Sequence, residues 1–392
     1  MAMDMNFGNG FNRRRMGILA LAGALALQLG CAGTQQQRAS NDDDVEYVWP
    51  LPPDPPRIKY VRSVHSEMDI GYEKTFAQKL TEALFGRTRM RALKKPLSTH
   101  VDRKGRLYVV DTGWRSVLIF DFENRRLEFL GTKGTGRLLR PLGITSDEKG
   151  YLYVTDPGGY RVMKYDSTWK YVSAFGGKNL LLRPSGIAVN SRLNRVYVVD
   201  TWMHHVKVFD SNTGKLLFVI GNDFPEAPEG VKAPPGTLDR YWNRGHAEGE
   251  FNFPTYIAID SEGNVYVVDT LNFRVQVFNA DGKFLRSFGE IGRAPGQFFR
   301  PKGIGIDSED HIYVADAAFN NVQIFDKQGR LLLFFGTFGS GLADLRMPAG
   351  LFIDHKDRIY VVDQFNHRVQ IYQYLGGGPS LEQEVITEKQ RR

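Results

Sequence analysis

A chain of 392 residues, of which 42% are hydrophobic and 12% aromatic, has enough apolar side chains for one large globular body. Its single cysteine excludes an intramolecular disulfide bond. The formal net charge of +7 would suit contacts with the phosphates of a nucleic acid, but the export signal described next sets nucleic acid aside as a partner.

Residues 1–30 have the pattern of a signal peptide that is removed from the mature protein. Arg13–Arg15 precede an apolar stretch that is too short and too rich in Gly and Ala to span a membrane. The stretch ends in LQLGC, which resembles the lipobox of bacterial lipoproteins, so we expect cleavage before Cys31 and lipidation of Cys31. The alternatives are an ordinary buried cysteine or a secretory signal without lipid. The arginine run also resembles a twin-arginine signal, which leaves the export route open.

The resemblance to lipoproteins implies a location in the cell envelope. Ala32 follows the cysteine, whereas an aspartate there retains some Gram-negative lipoproteins in the inner membrane. We therefore expect the outer membrane, with the protein facing the periplasm or the cell surface. Residues 31–56, polar and then rich in proline, are expected to form a tether, and residues 376–392 a loose tail.

Six copies of one pattern fill residues 96–375. The fourth reads NVYVVDTLNFRVQVF from Asn264 to Phe278, with two alternating apolar runs and a polar break between them. A proline precedes each copy, at positions 96, 141, 184, 254, 301 and 348, so the pattern returns every 43 to 47 residues except for one interval of 70. The long interval indicates an insertion at about residues 222–250. A period of ~40 to 50 residues with strand patterning is typical of propeller blades.

Each copy divides into four strands. In the fourth, the runs YIAID, VYVVD, VQVF and FLRSFG are separated by turn residues that accept tight backbone geometry. Branched and aromatic side chains fill these runs, as fits a pleated, half-buried sheet. One such sheet cannot bury both its faces, whereas six around an axis can. We therefore predict an all-β fold, a six-bladed β-propeller with four-stranded blades.

The ring is predicted to close with an N-terminal strand. The sixth copy has no fourth strand, because its third strand is followed by LGGGPS. Residues 57–64, RIKYVRSV, alternate as a strand does and would complete this blade and hide its open edge. Between this segment and the first copy, the spacing of apolar residues predicts one short helix at about residues 72–86.

The repeated line resembles the NHL repeat, with Asp269, Asn272 and Arg274 in one copy and Asp363, Asn366 and Arg368 in another. The resemblance covers roughly residues 96–374 and implies a six-bladed propeller, but it implies no function, because one fold serves many. The arginine position holds Ser116, His205 and Asn321 in three copies, which therefore cannot close their loop with the same ion pair.

A catalytic or metal site is not indicated. Six-bladed relatives of similar appearance include metal-dependent lactonases and an amidating lyase, which hold ions with side chains at the starts of the inner strands. The corresponding residues here, Leu97, Leu142, Ser185, Thr255, Lys302 and Ala349, are poor ligands for divalent ions. One aspartate per copy ends the second strand, and we interpret this set as loop braces: Asp111, Asp156, Asp200, Asp269, Asp316 and Asp363. The sequence shows no nucleophile elbow and no phosphate loop, so we expect no cofactor, no metal and no catalytic residue.

The candidate binding residues are aromatic and cationic, and strand alternation places them at one end of the ring, here called the loop end. The loops between second and third strands contribute Trp114, Tyr160, Trp202, His204, Phe273, Phe319 and Phe365. The insertion contributes Tyr241, Trp242 and His246. The mouth of the channel contributes Lys95, Arg140, Arg183, Arg300 and Lys302. Aromatic residues and arginine are enriched at the centres of binding interfaces, and long loops often carry binding residues. For any single residue the alternative is packing between blades or pairing with an aspartate.

The sequence leaves two functions of different classes open. The first is a non-enzymatic binding or scaffold module for an envelope protein or glycan, with a monomeric body held at the membrane by its lipid. The second is a divergent hydrolase or lyase with an unrecognised channel site, metal-dependent or not.

Overall fold

The computed structural model describes residues 46–72, 84, 90–223 and 241–376, which form six β-sheets arranged as the blades of a propeller. All of these residues belong to one compact unit that begins at Glu46. The strands of every blade are antiparallel, and the inner strands of successive blades contact each other around the ring. The inner strand of the last blade contacts that of the first, which closes the ring. The predicted all-β, six-bladed fold is confirmed.

The strands follow the predicted repeats closely. Two N-terminal strands, β1 (Val48–Trp49) and β2 (Ile58–Val64), precede blade 1, which consists of β3 (Pro96–Val101), β4 (Leu107–Asp111), β5 (Ser116–Asp121) and β6 (Arg126–Leu130). Blade 2 consists of β7 (Ile144–Ser146), β8 (Leu152–Asp156), β9 (Arg161–Tyr165) and β10 (Tyr171–Gly176), and blade 3 of β11 (Pro184–Asn190), β12 (Arg195–Asp200), β13 (His205–Asp210) and β14 (Leu216–Ile220).

The second half of the ring continues in the same order. Blade 4 consists of β15 (Pro254–Ile259), β16 (Val265–Asp269), β17 (Arg274–Phe278) and β18 (Phe284–Phe288), blade 5 of β19 (Pro301–Ile306), β20 (Ile312–Asp316), β21 (Asn321–Phe325) and β22 (Leu331–Phe335), and blade 6 of β23 (Pro348–Ile353), β24 (Arg358–Asp363) and β25 (Arg368–Tyr374). Short 3₁₀ turns span Glu67–Ile70, Pro157–Gly159, Tyr241–Asn243, Thr270–Asn272 and Gln364–Asn366.

The N-terminal strand closes blade 6 as predicted. Strand β2 pairs antiparallel with β25, with Tyr60 opposite Tyr372 and Val64 opposite Val369. The ends of β2, Ile58 and Val64, are fully buried. Closure by an N-terminal strand gives blade 6 the outer strand that its own repeat lacks.

Blade 6 also gains a fifth strand that the sequence did not predict. Strand β1 pairs with β2, and the ring of Trp49 packs against Phe335 and Tyr372 at centroid distances of 5.7 and 5.9 Å. Val48 and Trp49, which were predicted to lie in the tether, are therefore part of blade 6. The signal peptide, Cys31 and residues 377–392 lie outside the described residues, as does almost all of the helix predicted at about residues 72–86. None of the helical segments that the structure describes has the length and apolar character needed to cross a membrane.

The core lies between adjacent blades. In one cluster Val199 and Val208 of blade 3 pack with Ile257 and Val267 of blade 4, and equivalent clusters join the other blades. Glycine in the inner strands allows the neighbouring strands to approach. A Cβ added at Gly186 would lie 2.6 Å from the carbonyl oxygen of Thr255 on the next blade, a distance that no real side chain permits. This close approach explains why a glycine follows the proline in most copies.

The opposite end of the ring, here called the turn end, carries the tight turns. In blade 4 the carboxylate of Asp260 accepts hydrogen bonds from the backbone N–H groups of Glu262 and Asn264 and from the hydroxyl of Tyr266 at 3.2 Å. Equivalent Tyr–Asp bonds occur in four other blades. The segment DSEGN, residues 260–264, is thus a β-turn braced by its aspartate.

Candidate binding site at the loop end

The aspartates that end the second strands brace the loop end. All six are fully buried. Asp316 accepts hydrogen bonds from the backbone N–H groups of Phe299 at 2.8 Å and of Arg300 at 3.1 Å, the two residues before the inner strand of its blade. The other five accept equivalent backbone bonds. Each aspartate therefore fixes the backbone of the segment that enters the inner strand, and their interpretation as braces is confirmed.

Three of these aspartates also form the ion pairs expected of the repeat. Asp156, Asp269 and Asp363 pair with Arg161, Arg274 and Arg368 at 3.3, 3.0 and 2.7 Å. Burial raises the pKa of Asp200 and of Asp269, and the N–H groups that donate to each carboxylate oppose the shift.

A cavity of about 730 Å³ opens at the loop end of the channel, and we call it the mouth cavity. Residues from all six blades line it, including five of the six inner-strand positions named above: Leu97, Leu142, Ser185, Thr255 and Lys302. Its apolar wall consists of Leu97 and Leu142 together with Phe253, Leu271, Phe273, Ile291, Phe299 and Met347. The wall is thus mainly aromatic and aliphatic, as in many small-molecule sites.

Three cations face this apolar wall. Arg183, Arg300 and Lys302 line the cavity, and no lining residue is an aspartate or glutamate. Within the described part of the chain, none of the three side chains forms a salt bridge. The strand-end aspartates bond to the backbone N–H groups of Arg183 and Arg300 rather than to their guanidinium groups. The charged side chains among the described residues that line the cavity are therefore all positive.

The electrostatics of Lys302 reflect this environment. Burial lowers the pKa of its amine to about 8, and the neighbouring charges of Arg300 and Arg183 act in the same direction. Burial also lowers the pKa of Arg183, with a contribution from Arg140 and an opposing one from Asp200. These cations repel one another across the mouth, and an anion placed among them would relieve the repulsion.

Several of the predicted binding residues meet here. The guanidinium of Arg183 lies 5.0 Å from the ring centroid of Trp202. Phe273 and Phe319 flank Phe299 at centroid distances of 6.4 and 6.5 Å, which continues the cavity wall onto the rim. Three further predicted residues, Lys95, Arg140 and Phe365, are exposed at the loop end outside the cavity.

Two predicted binding residues have structural roles instead. The indole of Trp114 donates to the carbonyl oxygen of Ala92 at 2.8 Å and packs edge-on against Phe129. His204 is only 3% exposed, and its Nδ1 accepts a hydrogen bond from the backbone N–H of Phe253 at 3.1 Å. Burial lowers the pKa of His204 to about 4. The side chain of His204 is therefore not available to a partner, whereas that of Trp114 is partly exposed.

The remaining candidates are dispersed. Tyr160 is partly buried in the left-handed conformation, with φ at 56°. His246 is exposed, and its Nδ1 lies 2.6 Å from the side-chain oxygen of Asn272. Trp242 is partly buried, whereas the side chain of Tyr241 lies outside the described residues. The described residues of the insertion therefore add one exposed candidate to the loop end.

The sequence interpretation missed the exposed apolar residues of the loops that connect one blade to the next. These loops also lie at the loop end and expose Leu139, Ile291, Phe299, Phe338 and Leu342, beside Leu271 and Phe365 of the loops between second and third strands. Three of the connecting loops share one geometry, with parallel bridges from Arg244 to Phe251, from Ile291 to Phe298 and from Phe338 to Leu345. In the last two, the related segments GEIGRAPGQFFRP and GTFGSGLADLRMP were a repeat signal that could have identified them.

The turn end holds a smaller cavity of about 320 Å³ with one histidine–serine pair. Nε2 of His100 lies 2.7 Å from Oγ of Ser146, whereas its Nδ1 is buried without a partner. Burial lowers the pKa of His100 to about 4. No carboxylate orients the imidazole, so the pair is not a complete nucleophilic arrangement. No three His, Cys, Asp or Glu side chains of the described residues are grouped as a metal site requires.

Comparisons with known proteins agree with the fold. Residues 181–209 match the NHL repeat family, and residues 257–319 match the family DUF5128, described as a 6-bladed β-propeller. The protein called brain tumor from Drosophila melanogaster is 39% identical over 46 residues, which are 12% of this chain. The match spans only 4% of that much longer protein. The predicted NHL-repeat propeller is confirmed.

Solved structures share the propeller at low sequence identity. A streptogramin B lyase is 10% identical with a TM-score of 0.50, over 72% of this chain and 94% of the lyase. An auxiliary nutrient binding protein from Bacteroides thetaiotaomicron VPI-5482 is 15% identical with a TM-score of 0.53, over 72% and 69% of the two chains. A protein of unknown function from the same organism is 14% identical with a TM-score of 0.54, over 72% and 70%. These identities establish the shared fold alone.

Proposed function

We propose that this NHL-repeat six-bladed propeller is a non-enzymatic binding module of the cell envelope, anchored through Cys31, which docks an acidic protein partner on its loop end. The observation that carries the proposal is that exposed apolar side chains and cations without a salt bridge among the described residues occur together at that end.

The loops of the loop end expose more large apolar side chains than the turns of the turn end do. Seven large apolar side chains are exposed in the loops of the loop end: Leu139, Leu271, Ile291, Phe299, Phe338, Leu342 and Phe365. Phe338 is 69% and Phe365 53% exposed, and in the turns of the opposite end Leu193 is exposed. Clustered exposed apolar side chains mark interaction sites more often than single ones do. The loop end is therefore the favoured docking face.

The charged part of the surface favours an acidic partner. Lys95 and Arg140 are exposed at the loop end, and Arg183, Arg300 and Lys302 line the mouth without salt bridges among the described residues. Complementary charge on the partner would steer association and would make it sensitive to salt. Apolar contacts would then supply most of the affinity.

The choice of binding over catalysis rests on the site. The fold is shared by a lyase and by an auxiliary nutrient binding protein, so the fold is compatible with both classes. The His100–Ser146 pair lacks an orienting carboxylate, and the described residues contain no grouped metal ligands. The envelope location is supported by the signal-like N-terminus and the lipobox-like LQLGC.

Cross-linking in native membranes tests the docking face. The double variant Phe338→Ser/Phe365→Ser removes two exposed side chains of the loop end, and Leu217→Ser/Leu285→Ser removes two similarly exposed side chains of the outer strands β14 and β18. We expect the first variant to lose the cross-linked protein that the unmodified chain captures, and the second to retain it. The captured protein should have an acidic surface, and less of it should be cross-linked when the salt concentration is raised before the cross-linker is added.

Three results would contradict the proposal. They are equal capture by the two double variants, capture of a glycan rather than a protein, and a captured protein with a basic contact surface. Circular dichroism and thermal melting of both variants serve as controls for folding.

A further inference from the structure

We propose that the mouth cavity binds a small organic anion with an apolar body, whose acidic group lies among Arg183, Arg300 and Lys302. This inference goes beyond the docking of a protein, because it concerns a small molecule inside the channel rather than a partner on the rim.

The size and lining of the cavity suit such a ligand. Its volume of about 730 Å³ lies within the range of roughly 300–1,000 Å³ that is typical of small-molecule sites. Leu142, Phe253 and Phe273 are among its apolar wall residues. An aromatic or aliphatic body would bury apolar surface against them, which is the main source of affinity for such ligands.

The polar groups of the cavity select for negative charge. The hydroxyl of Ser185 is hydrogen-bonded to that of Thr201, and the hydroxyl of Thr255 to that of Thr270, each at 2.7 Å. These hydroxyls are therefore already satisfied within the fold. The charged side chains that line the cavity are Arg183, Arg300 and Lys302, and none of them has a salt bridge to a described residue. A partly buried cation is stabilised by a counter-ion, so these three side chains favour an anionic ligand.

The same charges exclude the other obvious occupants. A metal cation would be repelled by three positive side chains and would find no carboxylate among the lining residues. A small inorganic anion would satisfy the charges but would leave the apolar wall in contact with water. An amphipathic anion is the occupant that satisfies both parts of the cavity.

Lys302 provides a signature of the bound state. Its amine, with a pKa of about 8, is partly deprotonated near that pH in the free protein, and an anion beside it favours the charged form. Among the described residues, the charged groups that face it are Arg300 and Arg183, both cationic, so none of the described carboxylates competes for it. Binding near pH 8 should therefore take up protons.

Calorimetric titration of the folded chain with matched probes tests the proposal. The probes are 2-naphthoate, its neutral analogue 2-naphthamide, and sodium sulfate. We expect binding of naphthoate, at least tenfold weaker binding of naphthamide, and no comparable binding of sulfate. At pH 8 the apparent heat of naphthoate binding should change with the ionisation enthalpy of the buffer, as proton uptake requires.

Matched lysine variants locate the site. Lys302→Met should weaken naphthoate binding at least tenfold and remove the proton uptake, whereas Lys215→Met removes an exposed lysine from the turn between β13 and β14, outside the cavity, and should change neither. Equal binding of naphthoate and naphthamide, unchanged binding in Lys302→Met, or no naphthoate binding at millimolar concentration would overturn the proposal. Because Phe338 and Phe365 do not line the cavity, the cross-linking experiment above can succeed or fail independently.

Discussion

The guanidinium of Arg368 lies 2.7 Å from the carboxylate of Asp363, and neither side chain is more than 5% exposed. The same guanidinium donates to the carbonyl oxygens of Gly341 and Asp344 in the loop that connects blades 5 and 6. The ion pair thus joins the second strand of blade 6, the start of its third strand and the preceding loop. Its hydrogen bonds satisfy groups that burial would otherwise leave unpaired.

Removing one partner of this pair should therefore be costly. We expect Arg368→Met to lower the free energy of unfolding by about 3–5 kcal/mol, because it leaves Asp363 charged and buried. The control is Arg330→Met, since Arg330 pairs with Asp326 at 2.6 Å but is 78% exposed, and exposed pairs contribute about 0–1 kcal/mol. Urea denaturation compares the two, and equal losses of stability would refute the assigned role of the buried pair.

The closing strand offers a second test of stability. Ile58→Ala removes a fully buried side chain of β2 and should cost about 2–5 kcal/mol, because the cavity it leaves lies in the core cluster that blades 5 and 6 share. Val61→Ala in the same strand changes a side chain that is 49% exposed and should cost less than about 0.5 kcal/mol. Thermal melting separates these outcomes. An Ile58 variant that melts with the parent would argue that the ring does not depend on this strand.

Lys302 should be destabilising in the free protein. Its pKa is about 8 when folded against the ordinary 10.5, so the folded state disfavours the charged amine. We expect Lys302→Met to raise the free energy of unfolding at pH 7 by up to roughly 3 kcal/mol. Between pH 8 and 10.5 the unfolded state binds more protons than the folded state, so the parent gains stability with rising pH and the difference between the two proteins shrinks. A constant difference across this range would contradict the assigned pKa.

His204 should contribute to acid sensitivity rather than to binding. Its pKa is about 4 when folded against the ordinary 6.5, so the unfolded state takes up the proton first as the pH falls. Its contribution to stability is therefore complete above pH 6.5 and is lost as the pH falls towards 4. We expect His204→Asn, which keeps a residue tolerant of the left-handed φ of 57°, to flatten the dependence of unfolding free energy on pH in this range. An unchanged slope would show that this imidazole does not titrate as assigned.

The lipid anchor remains a prediction that cell fractionation can test. Cys31→Ser should release the protein from the membrane or stall its processing, because stable attachment of an otherwise unanchored body needs acyl chains. If this variant stays in the membrane with unchanged mass, lipidation is excluded. Ala32→Asp should move the protein from the outer to the inner membrane if the sorting expectation holds.

The propeller could be predicted from sequence because its signals are local and recur. Proline, strand alternation and turn residues mark each blade, and the missing fourth strand of the sixth copy pointed to residues 57–64. Strand β1 could not be predicted, since two residues in a proline-rich segment show no alternation. Its position depends on Trp49 packing against the finished blade.

The candidate site was only partly predictable for a related reason. His204 and Phe273 occupy the same position of their loops, with φ of 57° and 56°. Yet His204 is buried against Phe253, whereas Phe273 lines the mouth cavity. The repeat determines the backbone conformation at this position, but neighbouring loops determine whether the side chain is covered. A single repeat unit contains no information about those neighbours.

Because the strand-end aspartates bond to backbone groups, the contacts that hold the blades in place are separate from the side chains that would select a ligand. Each carboxylate accepts from a peptide N–H group of the segment that enters the inner strand, and any residue except proline supplies that group, so the bracing does not depend on the side chains there. The residues immediately before the six prolines are Lys95, Arg140, Arg183, Phe253, Arg300 and Met347, which range from cationic to apolar. A propeller built in this way can change its preferred ligand by single substitutions around the mouth, with little effect on how the blades fold.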